Sequence, residues 1–134
     1  MKITNALPQD YQLHRYRIVR TIGGGGFSVV YLAHDSENDK PVVIKEYLPA
    51  NRVKRVNGVS VEGLSAETNS TFNTGMKRFF DEAAILAKLK HPNIVHVTDF
   101  FRDNNTVYMV MDFERGHVEE ALHAGIEGGV GLGR

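Results

Sequence analysis

Three features of this sequence are of types and order that could do chemistry: a run of four glycines, Gly23 to Gly26, a lysine closing an apolar run, Lys45, and a glutamate inside a helical pattern, Glu82. Glycine has no Cβ, so backbone amides in a glycine-rich turn can approach phosphate oxygens closely. A lysine beside that turn supplies a cation, and a carboxylate on the next element can hold the cation in place. Singly, each has a plainer explanation. Four glycines make a flexible hairpin tip, a lysine at a strand end is solvated, and a helical glutamate decorates a surface. In this order they allow one ammonium group to be held by a carboxylate while it contacts two phosphates.

Two familiar phosphate turns do not fit. A P-loop needs Lys and Ser or Thr directly after its last glycine, and the chain has no Gly-Lys pair. A dinucleotide-binding turn must open into a helix, whereas Val29, Val30, Tyr31 and Leu32 follow the cluster and read as a strand. A glycine-rich strand-turn-strand flap remains. The absence of cysteine excludes disulfides, thiol nucleophiles and Cys-based zinc sites, and no metal-ligating set stands out. Lys plus Arg and Asp plus Glu both count 16, so no net field draws the protein to nucleic acid or to an anionic membrane.

These residues need elements to place them. Tyr16 to Ile22 and Phe27 to His34 read as a hairpin around the glycines, and Val42 to Ile44 as a third, β-branched strand. Residues Leu48 to Gly75, rich in Asn, Ser, Thr and Gly, read as an insertion with room for one small hairpin around Val56, Val59 and Val61. From Met76 to Lys90 the spacing of Phe79, Phe80, Ala83, Leu86 and Leu89 predicts a helix that His91 and Pro92 end. Ile94 to Phe101 and Thr106 to Phe113 read as two further strands. The expected fold is α+β: a five-stranded antiparallel sheet with one helix inserted after the third strand, in a single domain of residues 16–116. Residues 1–15 read as a polar leader. Residues 117–134 read as a short helix, Val118 to Ala124, and a disordered tail in which five of the last ten residues are glycine.

The run Ile22-Gly-Gly-Gly-Gly-Phe-Ser-Val-Val-Tyr31 resembles the protein kinase glycine-rich loop, with Gly23, Gly25, Phe27 and Val30 on its fixed positions. Val43-Ile-Lys45 resembles the strand-borne lysine motif. Phe80 to Leu86 and then Leu89 to Val95 resemble the C helix and its exit, and Val107 to Phe113 the fifth strand and hinge. The resemblance covers about Tyr16 to Gly116 and is to the N-terminal lobe of a bacterial-type serine/threonine kinase. It implies that Ile22, Gly23, Gly24, Gly25, Gly26, Phe27, Ser28 and Val30 cover ATP, and that Lys45, paired with Glu82, contacts the α- and β-phosphates. It implies that Val30 and Val43 pack on the adenine, that Met111 is the gatekeeper, and that Asp112, Phe113 and Glu114 form the hinge. Leu86 and Val97 would help align the two lobes.

The sequence departs from that pattern in three places. Ser28 replaces the third glycine, Val43 stands where alanine is usual, and the stretch from Lys45 to Glu82 is long, resembling a bacterial subgroup with Lys-Glu-Tyr-Leu-Pro at this point, here Lys45 to Pro49. The catalytic aspartate, the magnesium-binding asparagine and aspartate, and a second lobe are not found. Arg102-Asp103-Asn104 and Asp112-Phe113 mimic fragments of those motifs without their context. The expectation is a lobe from a longer kinase, with magnesium bound only by the full-length parent and no phosphoryl transfer by this chain alone; the alternative is a non-catalytic, kinase-like interaction module that binds a partner protein. Self-association through the exposed lobe face, no transmembrane segment in these residues and a cytoplasmic location complete the expectations.

Overall fold

The computed structural model describes residues 5–49, 51–89 and 96–113. Its elements are β1 (Gln12–Leu13), β2 (Tyr16–Gly24), β3 (Ser28–Asp35), β4 (Lys40–Tyr47), β5 (Val53–Val56), β6 (Ser60–Gly63), α1 (Ala66–Lys88), β7 (Val97–Asp103) and β8 (Thr106–Asp112). Six strands form one antiparallel sheet in the order β1-β2-β3-β4-β8-β7, and β5 and β6 pair as a separate hairpin. The expected five-stranded antiparallel sheet with a helix after its third strand is therefore present, with one short strand added at the edge, and β8 rather than β7 lies beside β4. The helix stop at His91-Pro92, the strand start at Ile94, Glu114 and the whole tail lie outside the described residues.

Residues opposite each other across strands share a face, and neighbours along a strand alternate. The pairs Val30↔Lys45, Lys45↔Met109 and Val43↔Met111 put these five side chains on one face. The pairs Tyr31↔Ile44 and Glu46↔Tyr108 put those four on the other. Both faces are covered, which is why Val42 to Glu46 and Thr106 to Met111 are buried without a break. On the second face the sheet curls until its two ends meet. Tyr16 donates from Oη to Asp99 at 2.8 Å, His14 and Asp103 are 3.0 Å apart, and Phe101 stacks on His14 at 4.0 Å.

Helix α1 begins ten residues before the expected Met76. Ser65 caps it by accepting from the Thr68 N–H, while Thr68 Oγ1 accepts from the Ser65 N–H. The first turns, Ala66 to Gly75, are polar and include Thr, Asn and Gly, so propensity and periodicity both miss them. Packing decides instead, because Phe72 stacks on Tyr47 at 5.5 Å and extends the buried stripe of Met76, Phe79, Ala83 and Leu86 by one step. Gly75 lets the Tyr47 ring pass: a Cβ there would lie 1.9 Å from Tyr47 Oη. Gly75→Ala should therefore cost about 1–3 kcal/mol through overpacking, against the roughly 1 kcal/mol that alanine gains in an open helix. A urea midpoint unchanged or raised by this substitution would show that Tyr47 moves aside freely.

The polar leader is corrected. Leu7 and Leu13 are buried in the core, the Leu7 N–H donates to Tyr31 Oη at 3.0 Å, and β1 pairs with β2. Two isolated leucines among polar residues carry no period, so no pattern announces them. The small hairpin expected within Leu48 to Gly75 is β5-β6. Its tip, Asn57 to Val59, is closed by the Val59 N–H on the Val56 carbonyl at 3.1 Å, and the two central residues of that turn, Asn57 and Gly58, have positive φ, 56° and 75°. No helix among the described residues is long and apolar enough to cross a membrane.

Candidate nucleotide site

The β2-β3 hairpin ends in the glycine flap. Gly25 donates its N–H to the Ser28 carbonyl at 3.0 Å, and register shifts between Ile18 and Arg20 and between Thr21 and Gly23 twist β2 as it enters the tip. A Cβ built on Gly25 or Gly26 meets nothing within 4 Å, and neither residue has positive φ. Nothing in the described chain thus demands glycine at either position. The bare backbone is left for something outside the chain to approach.

Lys45 lies on β4 under this flap, opposite Val30 and on the face it shares with Val43, Met109 and Met111. Its side chain is fully buried, and Nζ has no hydrogen-bond partner. Burial pushes its pKa down to about 7, against the opposing pull of Glu82. Glu82 sits half-buried on α1, its pKa raised by burial and drawn back by Lys45 and Arg78. The two feel each other's charge, but the structure does not bring them into ion-pair contact, so the expected Lys45–Glu82 pair is open here. Ser28 Oγ, two residues before Val30 on the same face, is likewise buried with no partner.

The remaining positions fall around this centre. Val30, Val43 and Met111 are buried on the lysine face, Ile22 is half-buried, and Phe27 stands exposed at the flap. Leu86 and Val97 are buried. Asp112 pairs with Val42 at the end of β8, its carboxylate is held by His96 Nδ1 at 3.0 Å and Lys40 at 3.6 Å, and its N–H donates to the His96 carbonyl at 3.2 Å. Phe113 is half-buried. Arg102-Asp103-Asn104 lies at the β7-β8 turn, where Asp103 engages His14 and Asn104 takes a φ of 53°, a structural arrangement. No group of three His, Asp or Glu side chains among the described residues could hold a metal ion.

Sequence reasoning missed the residue next to Lys45. Glu46 is fully buried on the opposite face, where it accepts from Arg55 at 2.7 Å, Tyr31 Oη at 2.5 Å and Tyr108 Oη at 2.6 Å. Arg55 comes from the β5-β6 hairpin and also donates to the carbonyls of Asn5 and Val59, each at 2.6 Å. Asn104 donates to Tyr108 Oη at 2.9 Å. Burial first, and then the Glu46 carboxylate, push both phenols far above the ordinary tyrosine range. The run Lys45 to Leu48 is thereby accounted for. Lys45 faces the flap, Glu46 the buried polar cluster and Tyr47 the helix, and the Leu48 N–H ties back to the Phe27 carbonyl at 2.8 Å. The signal available was a charged pair interrupting an apolar strand.

An anionic, phosphate-bearing ligand fits these groups: an open glycine backbone, a buried ammonium lacking a partner and an apolar shelf beside it. Comparison with known proteins gives the same direction. The protein kinase domain family matches residues 16–128. The chain is 35% identical over 102 residues to the serine/threonine-protein kinase PrkC of Bacillus subtilis, covering 76% of this chain and 13% of that protein. It is 35% identical over 113 residues to the serine/threonine-protein kinase PknD of Chlamydia trachomatis, covering 82% and 10%. Among solved structures, PpkA-294 in its apo form is similar with a TM-score of 0.79 and 36% identity, over 82% of this chain and 39% of that one. The Mycobacterium tuberculosis PknI kinase domain shares the fold at a TM-score of 0.57 and 22% identity, over 81% and 36%.

Proposed function

Because the chain belongs to the protein kinase domain family, we propose that it is the ATP-binding lobe of a serine/threonine kinase, and that these 134 residues alone bind ATP without transferring its phosphate. The chain spans 10–13% of the length of the curated relatives cited, so phosphorylation of protein serine or threonine is proposed for the whole kinase and not for this portion of it. The observation that carries the reading is Lys45. A buried ammonium group with no partner is unfavourable in a folded chain unless a ligand completes it, and this one lies under an open glycine backbone.

In this arrangement the Cβ-free backbone of Gly23 to Gly26 covers the phosphates, and Lys45 contacts two of them. Val30 and Val43 cover the adenine ring, Met111 closes the pocket behind it, and the backbone of Asp112 to Glu114 meets its edge. Bound ATP supplies the anionic oxygens that Lys45 lacks here, and Glu82 then orients the ammonium group. The groups that stabilise charge on a transferring phosphoryl are not found in this sequence, which supports binding without turnover.

NMR-monitored titration with ATP plus magnesium, and with adenosine, tests the reading. ATP should bind more tightly than adenosine and raise the thermal midpoint of the chain, since a ligand of the folded state stabilises it. Lys45→Met should remove the preference for ATP over adenosine. No binding of ATP at millimolar concentration would overturn the reading, and phosphate transfer to casein that Lys45→Met abolishes would overturn the inactive half of it. Among the described residues the exposed large apolar side chains are Phe27 at the flap tip, Leu64 between β6 and α1, and Ile85 on α1.

A further inference from the structure

We propose that the hydroxyl of Ser28 is a phosphate donor of this site, a second side-chain contact beside Lys45; this rests on the ATP-binding reading. Ser28 is 2% exposed, and its Oγ has no hydrogen-bond partner. A buried hydroxyl left without one is destabilising and is rare in folded chains, so its retention calls for an explanation. The sheet register supplies it. Ser28 pairs with Tyr47 and Val30 with Lys45, so the Ser28 and Lys45 side chains project from the same face, two register steps apart. Of the three orphaned buried side-chain polar atoms among the described residues, two therefore share one face at the base of the glycine flap. The third, Arg15 Nε, belongs to a guanidinium already engaged with Asp35 and Glu37.

The two orphans are complementary to one kind of group. A hydroxyl and an ammonium on one face both donate, and a phosphate oxygen accepts from both. Each carboxylate close enough to take either role is committed or distant: Glu46 points to the other face, and Glu82 makes no contact with Lys45. Ser28 thus contributes to discriminating phosphorylated from unphosphorylated nucleoside, rather than to holding the base.

The test is a comparison of Ser28→Ala and Ser28→Gly with the parent chain, by NMR titration with ATP plus magnesium and with adenosine. Both variants should bind ATP about tenfold more weakly, as loss of one charge-assisted hydrogen bond implies, and should bind adenosine unchanged. Ligand-free Ser28→Ala should melt at the same temperature as the parent or higher, because it deletes an unsatisfied hydroxyl. That combination, weaker ATP with no loss of stability, is not expected of a residue that merely packs. ATP affinity unchanged in either variant, or adenosine weakened as much as ATP, overturns the assignment. A parent chain that binds no ATP overturns it together with the reading it rests on, and is told apart by the parent titration alone.

Discussion

Arg55→Ala should remove about 3–5 kcal/mol of stability, the effect of leaving one partner of a buried ion pair uncompensated. Domains of this size are typically stable by about 5–15 kcal/mol, so the variant should be close to unfolded at ordinary temperature. The reason is local. Glu46 is fully buried and keeps only the hydroxyls of Tyr31 and Tyr108 once the guanidinium is gone. Arg55 also fastens the leader at Asn5 and the hairpin at Val59, so both should loosen with it. Replacing both charges by apolar residues, Glu46→Leu with Arg55→Met, should recover most of the loss, because the buried charge then disappears rather than being orphaned. Guanidinium unfolding followed by circular dichroism measures this. A loss under about 1 kcal/mol in Arg55→Ala would mean that water reaches Glu46 and that the cluster is not dry.

The second large effect is a dependence of stability on pH between 7 and 9. Lys45 has a pKa of about 7 in the folded chain, where burial disfavours its charge, against 10.5 when unfolded. Between these values the unfolded chain binds more protons, so stability rises with pH. Below pH 7 the penalty for the charged form is present in full. At about 1.4 kcal/mol per pH unit, the rise from pH 7 to 9 is roughly 2–3 kcal/mol. Tyr16, Tyr31 and Tyr108, whose pKa values burial raises, act with the opposite sign only above that interval. Lys45→Met should show a flat profile from pH 7 to 9 and exceed the parent in stability at pH 6. A parent profile already flat across this interval would mean that the Lys45 ammonium is solvated or paired in solution.

The β2-β3-β4 meander, the β7-β8 pair and the later turns of α1 were legible because their apolar residues repeat at the strand or helix period. The face shared by Val30, Val43, Lys45 and Met111 followed from alternation once the strands were placed. What escaped depended on contacts far apart in sequence. Leu7 and Leu13 are single apolar residues whose burial is decided by Tyr31 and by pairing with β2. The first turns of α1 are polar and held by Tyr47 against Phe72. Glu46 escaped because its cation, Arg55, lies in a segment with no helical or strand period beyond one short patch. The open state of Lys45 and Glu82 could not be read from spacing either, since spacing places both on facing elements without setting the distance between them.

Alternation along β4 also limits how this gene can change. Lys45, Glu46 and Tyr47 serve three different surroundings in successive positions. A codon gained or lost between Val43 and Tyr47 would exchange the lysine and glutamate environments and place each charge against the wrong neighbours. The length of β4 is therefore fixed. The tip of β5-β6 is the reverse case. Asn57 and Gly58 are exposed, and an added residue there shifts no register in the main sheet. Length variation among natural versions of this lobe should collect at that turn, which is also where an epitope or fluorophore can be inserted without disturbing the flap.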